Sequence, residues 1–489
     1  MWALPISFKF RNEQYRKPFL DLLSFEASQY HAQCERCLYG LLCFRSSILL
    51  QYDLLVVGAG CAGCIAAYTA SKIGLSVLIL DRKAEATIGD KVCGDALGSH
   101  HLSLLNLSLP SDCFYSSSPG IDVFSPDRKS VFSIEDESLR AVSLKRHAFG
   151  QFLLKRAISA GAELVDSFHV SCPIFEGSRV AGVRGFGKDG VRSYSAKVVA
   201  ECSGTASVVR HQVPDADISR RVPRENTMAC YREIRRTNGR ITEHLQIYLD
   251  QEKTPGGYAW IFPLGDEMVN VGLGVKASEG ISPRDAFFKY LAPMEILAGS
   301  TFVNGGGGIV PTTKPMDSMV YDGLMVAGDS ASTVSPMHGG GIGSSMLSGK
   351  ILAEVCAEAL SKGSVERKGL WEYNRRYMLA YGAKQASLDA FRRFLQASSN
   401  DEINFGMAHE IVKPKDILLA SKVGDLNLSI TEKATRAFRG IGKIDFLIRL
   451  RNVARLMKEI KKLYMEYPEF EGFSSWVAKV RAIESSAKL

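Results

Sequence analysis

The alternation of apolar and polar positions after residue 50 predicts buried strands separated by amphipathic helices. Residues 52–57 form a continuous apolar run, which is typical of a strand buried on both faces in a parallel sheet. A helical pattern over 61–73 and a second apolar strand over 76–80 follow directly. These three segments predict a β-α-β unit at the start of the patterned region.

Further along the chain, the same reasoning predicts a helix within 146–165, then Gly161 and a strand over 163–165. A buried strand is predicted over 196–200. An antiparallel sheet is predicted from strands that are separated by turn residues, namely 228–234, 245–249, 258–262 and 269–275. A strand over 323–327 and a helix over 343–360 then return the chain to its first domain. Helical periodicity after residue 368 predicts that the last part of the chain is helical.

Composition narrows the class of protein only slightly. The chain has 489 residues, 46% hydrophobic and 23% charged, which allows two or three domains with large cores. Its 11 cysteines are scattered, unlike the disulfide framework of a small secreted domain, so a cytoplasmic location is favoured. The net charge of +8 suits an anionic ligand or membrane surface and requires no nucleic acid. No apolar run reaches the ~18 residues of a membrane span.

The turn after the first strand is the clearest chemical signal. It reads G-x-G-x-x-G and lies between a strand and a helix, the context in which this pattern predicts a dinucleotide-binding site. The glycines allow a tight turn and a close approach of the pyrophosphate to the helix N-terminus. Asp81, with Arg82 beside it, ends the second strand and is the expected ribose ligand. The predicted cofactor contacts in the turn are Gly58, Ala59, Gly60, Cys61, Ala62 and Gly63.

Three later segments resemble the FAD enzymes of the p-hydroxybenzoate hydroxylase-like superfamily. A strand ends in Ala-Gly-Asp at 327–329, and a glycine-rich loop then leads into a helix. Residues 201–210 are similar to the D-A-x-G-x-x-S-x-x-R segment, although Glu and Cys replace its first two residues. The resemblance implies FAD as the cofactor. It also implies that further contacts come from Arg146, Gly204, Gly328, Asp329, Gly339, Gly340, Gly341 and Ile342, with Ser207 and Arg210 as additional matches.

Residues 255–263 read PGGYAWIFP, which fits P-x-x-Y-x-W-x-F-P and resembles the geranylgeranyl reductase family. Side chains alternate along a strand, so Tyr258, Trp260 and Phe262 are expected on one face, where they and Pro263 would line an extended isoprenoid chain. The alternative is that these aromatic residues only fill a core layer. A second element, KVCGD at 91–95, resembles the Cys-Gly pair of the archaeal members, and Cys93 and Gly94 are therefore expected beside the flavin.

The resemblance spans about residues 52–395 and implies FAD-dependent hydrogenation of C=C bonds in the geranylgeranyl chains of archaeal-type membrane lipids. An isolated isoprenoid alkene is not electrophilic, so a proton donor must accompany the hydride. Cys93, Tyr258 and His338 are the candidate donors, in falling order. We find no second dinucleotide turn, so the expected electron donor is transient NAD(P)H, reduced ferredoxin or another carrier. Residues 305–308 are expected to form a glycine loop that approaches the flavin.

The predicted fold class is therefore α/β (α+β): a Rossmann-like FAD-binding domain, an antiparallel-sheet substrate domain and a helical C-terminal region. The FAD-binding domain is assigned to 51–215 and 304–365, with a small insertion near 100–140. The substrate domain takes 216–303 and the helical region 366–489. Residues 1–50 lack this patterning, and we consider both a misassigned start near residue 50 and a genuine helical arm or targeting segment.

Several alternatives accompany this interpretation. Flavin-dependent monooxygenases and halogenases share the predicted fold, and the halogenase motif W-x-W-x-I-P is close to Y-x-W-x-F-P. A non-enzymatic prenyl-lipid carrier is the third class. Cys34 and Cys37, with Cys61 and Cys64, mimic zinc-ligand spacing, but the second pair lies in the phosphate turn, so we predict no metal. Finally, the basic segment 433–462 predicts either a helix at an anionic membrane surface, as expected of a peripheral membrane protein, or a helix packed on its own domain.

Overall fold

The computed structural model describes residues 51–239, 241–265, 267–426 and 443–486, and its mixed α/β architecture confirms the predicted fold class. The predicted extension 1–50, with Cys34 and Cys37, lies outside the described residues. The same holds for residues 433–442 of the basic segment. Within the described residues, no helix is long and apolar enough to cross a membrane.

The strands of the described residues are numbered in chain order. They are β1 Gln51–Val57, β2 Val77–Leu80, β3 Ala96–Gly98, β4 Phe114–Ser118, β5 Gly120–Phe124, β6 Val131–Glu135, β7 Ala141–Leu144, β8 Glu163–Val165, β9 His169–Glu176, β10 Arg179–Gly187, β11 Gly190–Glu201, β12 Thr227–Arg236, β13 Leu245–Tyr248, β14 Tyr258–Gly265, β15 Met268–Lys276, β16 Thr301–Pro311, β17 Val320–Tyr321 and β18 Leu324–Val326.

The α-helices of the same residues are numbered in the same way. They are α1 Cys61–Ile73, α2 Ser99–Leu104, α3 Arg146–Ser159, α4 Ala216–Ser219, α5 Pro283–Ala286, α6 Ile342–Ser361, α7 Glu372–Tyr377, α8 Ala383–Gln396, α9 Asn400–Ala408, α10 Pro414–Val423, α11 Ile444–Met465 and α12 Phe473–Ser486.

The first sheet carries the nucleotide-binding turn. Its parallel strands run in the order β18-β11-β1-β2-β8, and β17 pairs antiparallel with β18 at one edge. A hairpin of β9 and β10 extends β11 antiparallel. β1 and β2 are almost wholly buried, as expected for central strands covered by helices on both faces. Helices α1 and α6 pack closely because Gly349 lies against Ala62: a Cβ on Gly349 would come 2.2 Å from the Ala62 carbonyl oxygen.

The second sheet has the strand order β16-β12-β15-β14-β13-β5-β6. All its pairs are antiparallel except β13 with β5, so the predicted antiparallel sheet contains one parallel pair. One face of β14 and β15 packs its apolar side chains against the segment that begins at α5, and this forms a separate core of Ile261, Val271, Leu273, Phe287 and Leu291 among others. The other face points towards residues 91–95.

Two stretches belong to this second sheet although the sequence analysis placed them elsewhere. Residues 120–135, expected as a small insertion in the FAD-binding domain, provide β5 and β6. Residues 305–308, expected as a loop, lie within the edge strand β16 and pair with β12. Gly-rich sequence has low strand propensity, but ten residues of β12 provide a long partner that pairing can follow. The domain boundaries themselves stay a prediction.

The described part of the C-terminal region is helical, as predicted, and it covers the apolar face of the basic segment. Helix α11 packs against α8, with the Phe446 and Phe394 ring centroids 5.6 Å apart. The apolar residues of α11 that face this interface are buried, namely Phe446, Leu450, Val453, Leu456, Met457, Ile460 and Tyr464. Over 443–462 the apolar face is therefore a packing surface within the protein and is not available for insertion into a membrane.

We predict that Leu450→Ala destabilises the C-terminal region while Ile448→Ala does not. Leu450 is 5% exposed and Ile448 is 51% exposed, so only the first substitution opens a cavity. The expected loss for Leu450→Ala is about 2–5 kcal/mol, measured as a shift of the urea unfolding midpoint. Equal midpoints for the two variants would mean that this face of α11 is not packed in solution.

Candidate functional site

The turn of residues 58–63 joins β1 to α1, and two of its glycines are required by packing. Gly58 has φ +105°, and a Cβ on it would lie 2.6 Å from the Cys202 carbonyl oxygen. A Cβ on Gly63 would lie 1.9 Å from the Gly58 carbonyl oxygen. Gly60 differs, since no protein atom lies within 4 Å of where its Cβ would be. Gly60 therefore borders open space at the N-terminus of α1, where a pyrophosphate can approach the backbone.

Asp81 lies at the end of β2 and is fixed against this turn. Its Oδ2 accepts a hydrogen bond from the Ala59 amide at 2.6 Å, and its Oδ1 accepts one from the Lys83 amide at 2.8 Å. Each carboxylate oxygen keeps a further lone pair for a ribose hydroxyl. Arg82 is exposed beside it. The geometry thus places Asp81 where the sequence analysis expects the ribose ligand.

The distant glycine segments converge on the same turn. Gly328 has φ +69°, and a Cβ on it would be 3.1 Å from the Ala62 Cβ. Ser330 Oγ donates to the Gly204 carbonyl oxygen at 2.7 Å, which ties the 201–210 segment to the 327–329 turn. Gly204 has φ +70° and open space around its Cβ position. Segments more than 100 residues apart are therefore brought together around one cleft.

Glu201 replaces the aspartate that begins the usual form of the 201–210 motif, and its hydrogen bonds explain its presence there. Its side chain is fully buried and accepts from the amides of Ser203 at 3.1 Å, Val209 at 2.5 Å and Arg210 at 3.2 Å. It therefore caps the turns that shape this segment. Arg210 is buried too and donates to the carbonyls of Ile218 and Arg220, both at 2.7 Å. It therefore fixes the end of this segment to the residues that follow it.

Asp329 follows Gly328 and forms an ion pair with Lys91, whose Nζ lies 2.9 Å from Asp329 Oδ2. The charge of Asp329 raises the pKa of Lys91. The loop of Gly339, Gly340 and Gly341 then leads to Ile342, the first residue of α6. Gly339 has φ +63° and borders open space, whereas a Cβ on Gly341 would lie 3.3 Å from Asp329 Oδ1. This loop therefore leaves room beside Asp329 for a bound group.

Arg146 begins α3 and points at the nucleotide turn. Its Nη2 donates to Cys61 Sγ at 3.2 Å, while its Nε and Nη1 are buried with no hydrogen-bond partner among the described residues. Buried guanidinium donors require acceptors, and a ribityl or phosphate oxygen would supply them. Arg146, Asp81, Gly60 and Asp329 together fit FAD, with Arg146 satisfied by its oxygens.

The loop of residues 91–95, here called the Cys-Gly loop, lies between the nucleotide turn and the second sheet. Lys91 contacts Asp329 on one side. On the other side, a Cβ on Gly94 would lie 3.4 Å from the Phe262 ring, and a Cβ on Gly306 would lie 2.8 Å from Val92 Cγ2. The absence of a side chain at Gly306 therefore permits close contact with Val92, whereas Gly94 lies at ordinary van der Waals distance from the Phe262 ring.

The register of the second sheet decides which residues lie beneath this loop. Across β14, β15 and β12 the paired positions are Tyr258–Gly274–Cys230, Trp260–Gly272–Arg232 and Phe262–Asn270–Ile234. Alternate residues of a strand share a face, so all nine positions point to the same side. A Cβ on Gly272 would lie 2.4 Å from Trp260 Cζ2, which shows that the indole lies across this glycine.

Asn270 is the centre of a buried hydrogen-bond network. Its Oδ1 accepts from Trp260 Nε1 at 3.0 Å. Its Nδ2 donates to the Cys93 carbonyl oxygen at 2.8 Å and to Asp95 Oδ2 at 2.9 Å. Arg232 also donates to the Cys93 carbonyl, at 3.2 Å, and to Asn304 Oδ1. The sheet therefore holds the backbone of the Cys-Gly loop at Cys93.

The three predicted proton donors occupy different environments. Cys93 is half-buried, and burial raises the pKa of its thiol. Tyr258 is also half-buried, and its hydroxyl donates to the His338 carbonyl oxygen at 2.6 Å. His338 is exposed, but desolvation by the surrounding protein and the positive charge of Lys384 lower its pKa to about 4. Its Nδ1 accepts from the Gly340 amide at 3.2 Å, as expected of a neutral ring.

The predicted aromatic wall lies on one face of β14, with ring centroids 6.0 Å apart for Tyr258 and Trp260 and 6.1 Å apart for Trp260 and Phe262. Trp260 is 7% and Phe262 9% exposed, so both support the Cys-Gly loop, while Tyr258 is more accessible. The Pro263 carbonyl accepts from Ser143 Oγ at 2.9 Å, which anchors the strand end. Contact of these four residues with a lipid stays a prediction.

Sequence reasoning missed the polar residues that hold the loop. Asn270 lies in the apolar strand β15, and a single amide in an otherwise apolar run was the available signal. Asp95 belonged to the KVCGD motif but received no role. Arg232 and Asn304 carried no local signal, because their partners are distant in the chain. In the turn, Cys64 Sγ donates to the Ala59 carbonyl at 3.3 Å and Cys61 Sγ accepts from Arg146 Nη2 at 3.2 Å.

Comparisons with known proteins identify the family of this chain. The family model "Geranylgeranyl reductase catalytic domain" matches residues 226–310, and "Glucose inhibited division protein A" matches residues 53–108. A digeranylgeranylglycerophospholipid reductase from Sulfolobus acidocaldarius is 40% identical over 443 residues, covering 88% of this chain and 97% of that protein. This chain belongs to the same family. It is an FAD-dependent reductase, as predicted.

Solved structures show how widely this reductase's fold is shared. A geranylgeranyl bacteriochlorophyll reductase-like protein from Thermoplasma acidophilum superposes with a TM-score of 0.70 at 22% identity, covering 82% of this chain and 99% of the other. The flavin-dependent brominase Bmp2 superposes with a TM-score of 0.60 at 18% identity, covering 81% and 99%. At these identities the likeness concerns the fold alone, so the brominase carries no argument for halogenation.

We predict that Gly60→Ala and Gly63→Ala separate FAD binding from folding in this reductase. A Cβ at position 60 meets no protein atom, so Gly60→Ala should unfold at the wild-type temperature as apoprotein but bind FAD at least about tenfold more weakly. Gly63→Ala forces a 1.9 Å contact and should lower the unfolding temperature as well. The measurements are thermal unfolding of the apoproteins and titration with FAD. Normal FAD affinity in Gly60→Ala would place the pyrophosphate elsewhere.

Proposed function

We propose that this protein hydrogenates the C=C bonds of geranylgeranyl chains in archaeal-type isoprenoid membrane lipids. The observation that carries the proposal is the 40% identity to a digeranylgeranylglycerophospholipid reductase over 88% of this chain. The match to the geranylgeranyl reductase catalytic domain covers 226–310, the residues of the sheet face beneath the Cys-Gly loop. We propose that the substrate is an apolar chain that binds near this sheet.

The chemistry needs a hydride and a proton for each double bond. Reduced FAD supplies the hydride. A trisubstituted alkene has no carbonyl to accept electron density, so the proton must arrive before or with the hydride, from a group that faces the double bond. The residues around the Cys-Gly loop must therefore hold one acidic hydrogen in a dry environment.

Cys93 is our proposed donor. It is half-buried in the loop that contacts both the FAD-side residue Lys91 and the sheet, and its raised pKa keeps the thiol protonated near neutral pH. The Tyr258 hydroxyl is engaged with the His338 carbonyl, which favours a role in shaping the cleft. His338 is neutral at physiological pH, and a neutral imidazole is a poor acid. These environments support the order Cys93, Tyr258, His338.

The alternative classes have less support. A prenyl carrier needs no complete binding site for FAD. This family, in contrast, reduces its ligands, and two buried donors of Arg146 have no hydrogen-bond partner among the described residues. Monooxygenases and halogenases share the fold, but no relative of those classes matches at the identity of the reductase from Sulfolobus acidocaldarius among the proteins described above. We therefore propose a single function.

The deciding experiment is anaerobic. The flavin of the purified protein is reduced with dithionite, digeranylgeranylglyceryl phosphate is added, and lipid mass and flavin absorbance are followed together. Mass gains in steps of two hydrogens with stoichiometric flavin oxidation are expected. A reduced flavin that ignores the lipid but reacts rapidly with oxygen would instead indicate a monooxygenase. Replacing dithionite by NAD(P)H or by reduced ferredoxin compares the two candidate electron donors.

Variants assign the proton donor within the same assay. Cys93→Ser should retain FAD and lipid binding but lower the rate of lipid reduction by about 10²–10⁴-fold, the usual contribution of a positioned acid. Tyr258→Phe should have a smaller effect on this rate. A Cys93→Ser protein with full flavin and unchanged turnover would remove Cys93 from the role.

We further propose that the protein reaches its lipid from an anionic membrane surface by electrostatic attraction. This is supported by the net charge of +8 and by the exposed basic residues on the outer side of α11, including Arg451 and Arg455. Since the apolar side of α11 is buried, the helix would lie on the headgroups without inserting. The protein would then be cytoplasmic and peripherally bound.

Vesicle sedimentation tests this proposal. Binding to anionic vesicles should fall roughly five- to thirtyfold when Arg451 and Arg455 are both changed to glutamine, because each basic residue near the surface contributes about 1 kcal/mol. The matched control changes Lys188 and Arg192, two exposed basic residues of the β10–β11 hairpin, to glutamine. Equal binding by both double variants, or binding that ignores salt, would contradict the electrostatic role of α11.

A further inference from the structure

Asp95 is a buried carboxyl group two residues after Cys93, and neither the family resemblance nor the chemistry above assigns it a role. It is 4% exposed and has φ +60°, a left-handed conformation that aspartate tolerates better than most residues. Its own carbonyl accepts from the Leu144 amide at 2.8 Å, so the third sheet (β3, β7 and β4) fixes its backbone. The carboxyl group therefore has a defined place beside the Cys-Gly loop.

The side chain of Asp95 is only partly satisfied by its neighbours. Oδ2 accepts from Asn270 Nδ2 at 2.9 Å, and the same Nδ2 donates to the Cys93 carbonyl oxygen at 2.8 Å, so Asn270 holds the Asp95 carboxyl group beside Cys93. Oδ1 is buried and has no hydrogen-bond partner among the described residues. A carboxylate oxygen in this position is costly, whereas a protonated carboxyl group carries no charge and can donate its hydrogen.

Two cations face Asp95 without neutralising it through direct hydrogen bonds. Arg232 Nη2 lies 4.0 Å from Oδ2, and Arg146 acts from the nucleotide side. Both lower the pKa of Asp95, but burial outweighs them and raises it to about 6. Around Cys93 the other titratable groups are Lys91, Cys230 and Tyr258. Among these, Asp95 is the acid whose hydrogen is released most easily.

Every double bond that is reduced consumes one proton, and a cysteine donor becomes a thiolate as it gives that proton up. A thiolate is unstable at the buried position of Cys93, so it must be reprotonated before the next turnover. Asp95 lies two residues away and is held by the same Asn270 amide as the Cys93 backbone, which makes its carboxyl group the source we consider. Its unpartnered oxygen leaves one side free to receive a new proton in turn.

We propose that Asp95 is a positioning residue that resupplies the proton of Cys93, and this rests on the proposed function of Cys93 as the donor. In the step considered, the Cys93 S–H bond breaks and a C–H bond forms at one alkene carbon. The other alkene carbon takes the hydride from the established reductase activity. The Asp95 O–H bond then breaks, the Cys93 S–H bond forms again, and the Asp95 carboxylate takes a proton from water.

The test that does not need lipid measures the coupling of the two side chains. Cys93 alkylation by iodoacetamide is followed by peptide mass spectrometry as a function of pH, in apoprotein and in FAD-loaded protein. In the wild type, the alkylation rate should show an extra inflection near the pKa of Asp95, about 6. In Asp95→Asn that inflection should vanish. The rate at neutral pH should rise about three- to tenfold, because the negative charge of Asp95 raises the thiol pKa.

Asp90→Asn is the matched control, since Asp90 is an exposed carboxyl group just before the same loop. It should leave the alkylation profile of Cys93 unchanged. An Asp95→Asn profile that equals the Asp90→Asn profile would overturn the coupling. A rate that rises to the same extent at all pH values, without loss of an inflection, would show only a loosened loop and would overturn it too.

Turnover provides the second readout. Asp95→Asn should lower kcat of lipid reduction about tenfold or more with little change in KM, and the decline of kcat as pH rises through about 6 should disappear. Asp95→Glu, which keeps an acid, should restore part of kcat. Unchanged kcat in Asp95→Asn would refute the resupply role. If Cys93→Ser kept full turnover while the alkylation coupling held, Cys93 would not be the proton donor. The coupling between Cys93 and Asp95 would nevertheless stand.

Protein stability gives a check that works even if the substituted proteins bind flavin poorly. Burial places the folded-state pKa of Asp95 above its unfolded value, so the folded state is favoured below about pH 4 and loses that advantage as pH rises through about 6. Asp95→Asn should therefore raise the melting temperature relative to wild type more at about pH 8 than at about pH 4. The opposite trend would mean that Asp95 is a stabilised carboxylate and would overturn the proposal.

Discussion

The side chain of Asn270 is the constraint on which the proposed site depends. Its carbonyl oxygen accepts from the Trp260 indole, and its amide donates to the Cys93 carbonyl and to Asp95. One uncharged group thus joins the aromatic strand, the Cys-Gly loop and the buried acid. An unsatisfied donor or acceptor here would cost about 1–3 kcal/mol, so the three partners are held in one arrangement. Lys91 continues the connection to Asp329 on the flavin side.

Close packing of backbone against backbone and ring makes this arrangement possible. Gly272 lies under the Trp260 indole, Gly94 against the Phe262 ring, and Gly306 against Val92. At Gly272 and Gly306 a methyl group would displace the indole or push the Cys-Gly loop away from the sheet. The glycines of the edge strand β16 are therefore used for approach within a sheet, although glycine generally weakens strands. The same principle operates at Gly63 and Gly349, where helices pack against the nucleotide turn.

The fold is shared with flavin-dependent halogenases, so the reductase chemistry must come from the residues placed on it. We propose that these are a thiol and a carboxyl group whose pKa values are raised by burial, beside an aromatic strand and a cradle for FAD. Arg146 contributes to both sides, since it contacts Cys61 in the turn and faces the Cys93–Asp95 pair electrostatically. A cofactor that satisfies its remaining donors would link flavin binding to the environment of the proposed acid.

The sequence alone determined the parts that depend on local order. The turn at 58–63, the Ala-Gly-Asp segment at 327–329 and the aromatic strand are contiguous motifs, and they were sufficient to predict FAD, the family and the shared face of Tyr258, Trp260 and Phe262. Only the tertiary structure decided what covers each apolar face: α11 packs on α8, and β5, β6 and β16 join the second sheet. It also placed Asn270, Arg232 and Asp95 beside the Cys-Gly loop. The periodicity of apolar residues indicates which face of a strand or helix is buried. It does not indicate the partner of a buried polar group, because that partner is set by strand register between segments far apart in the chain.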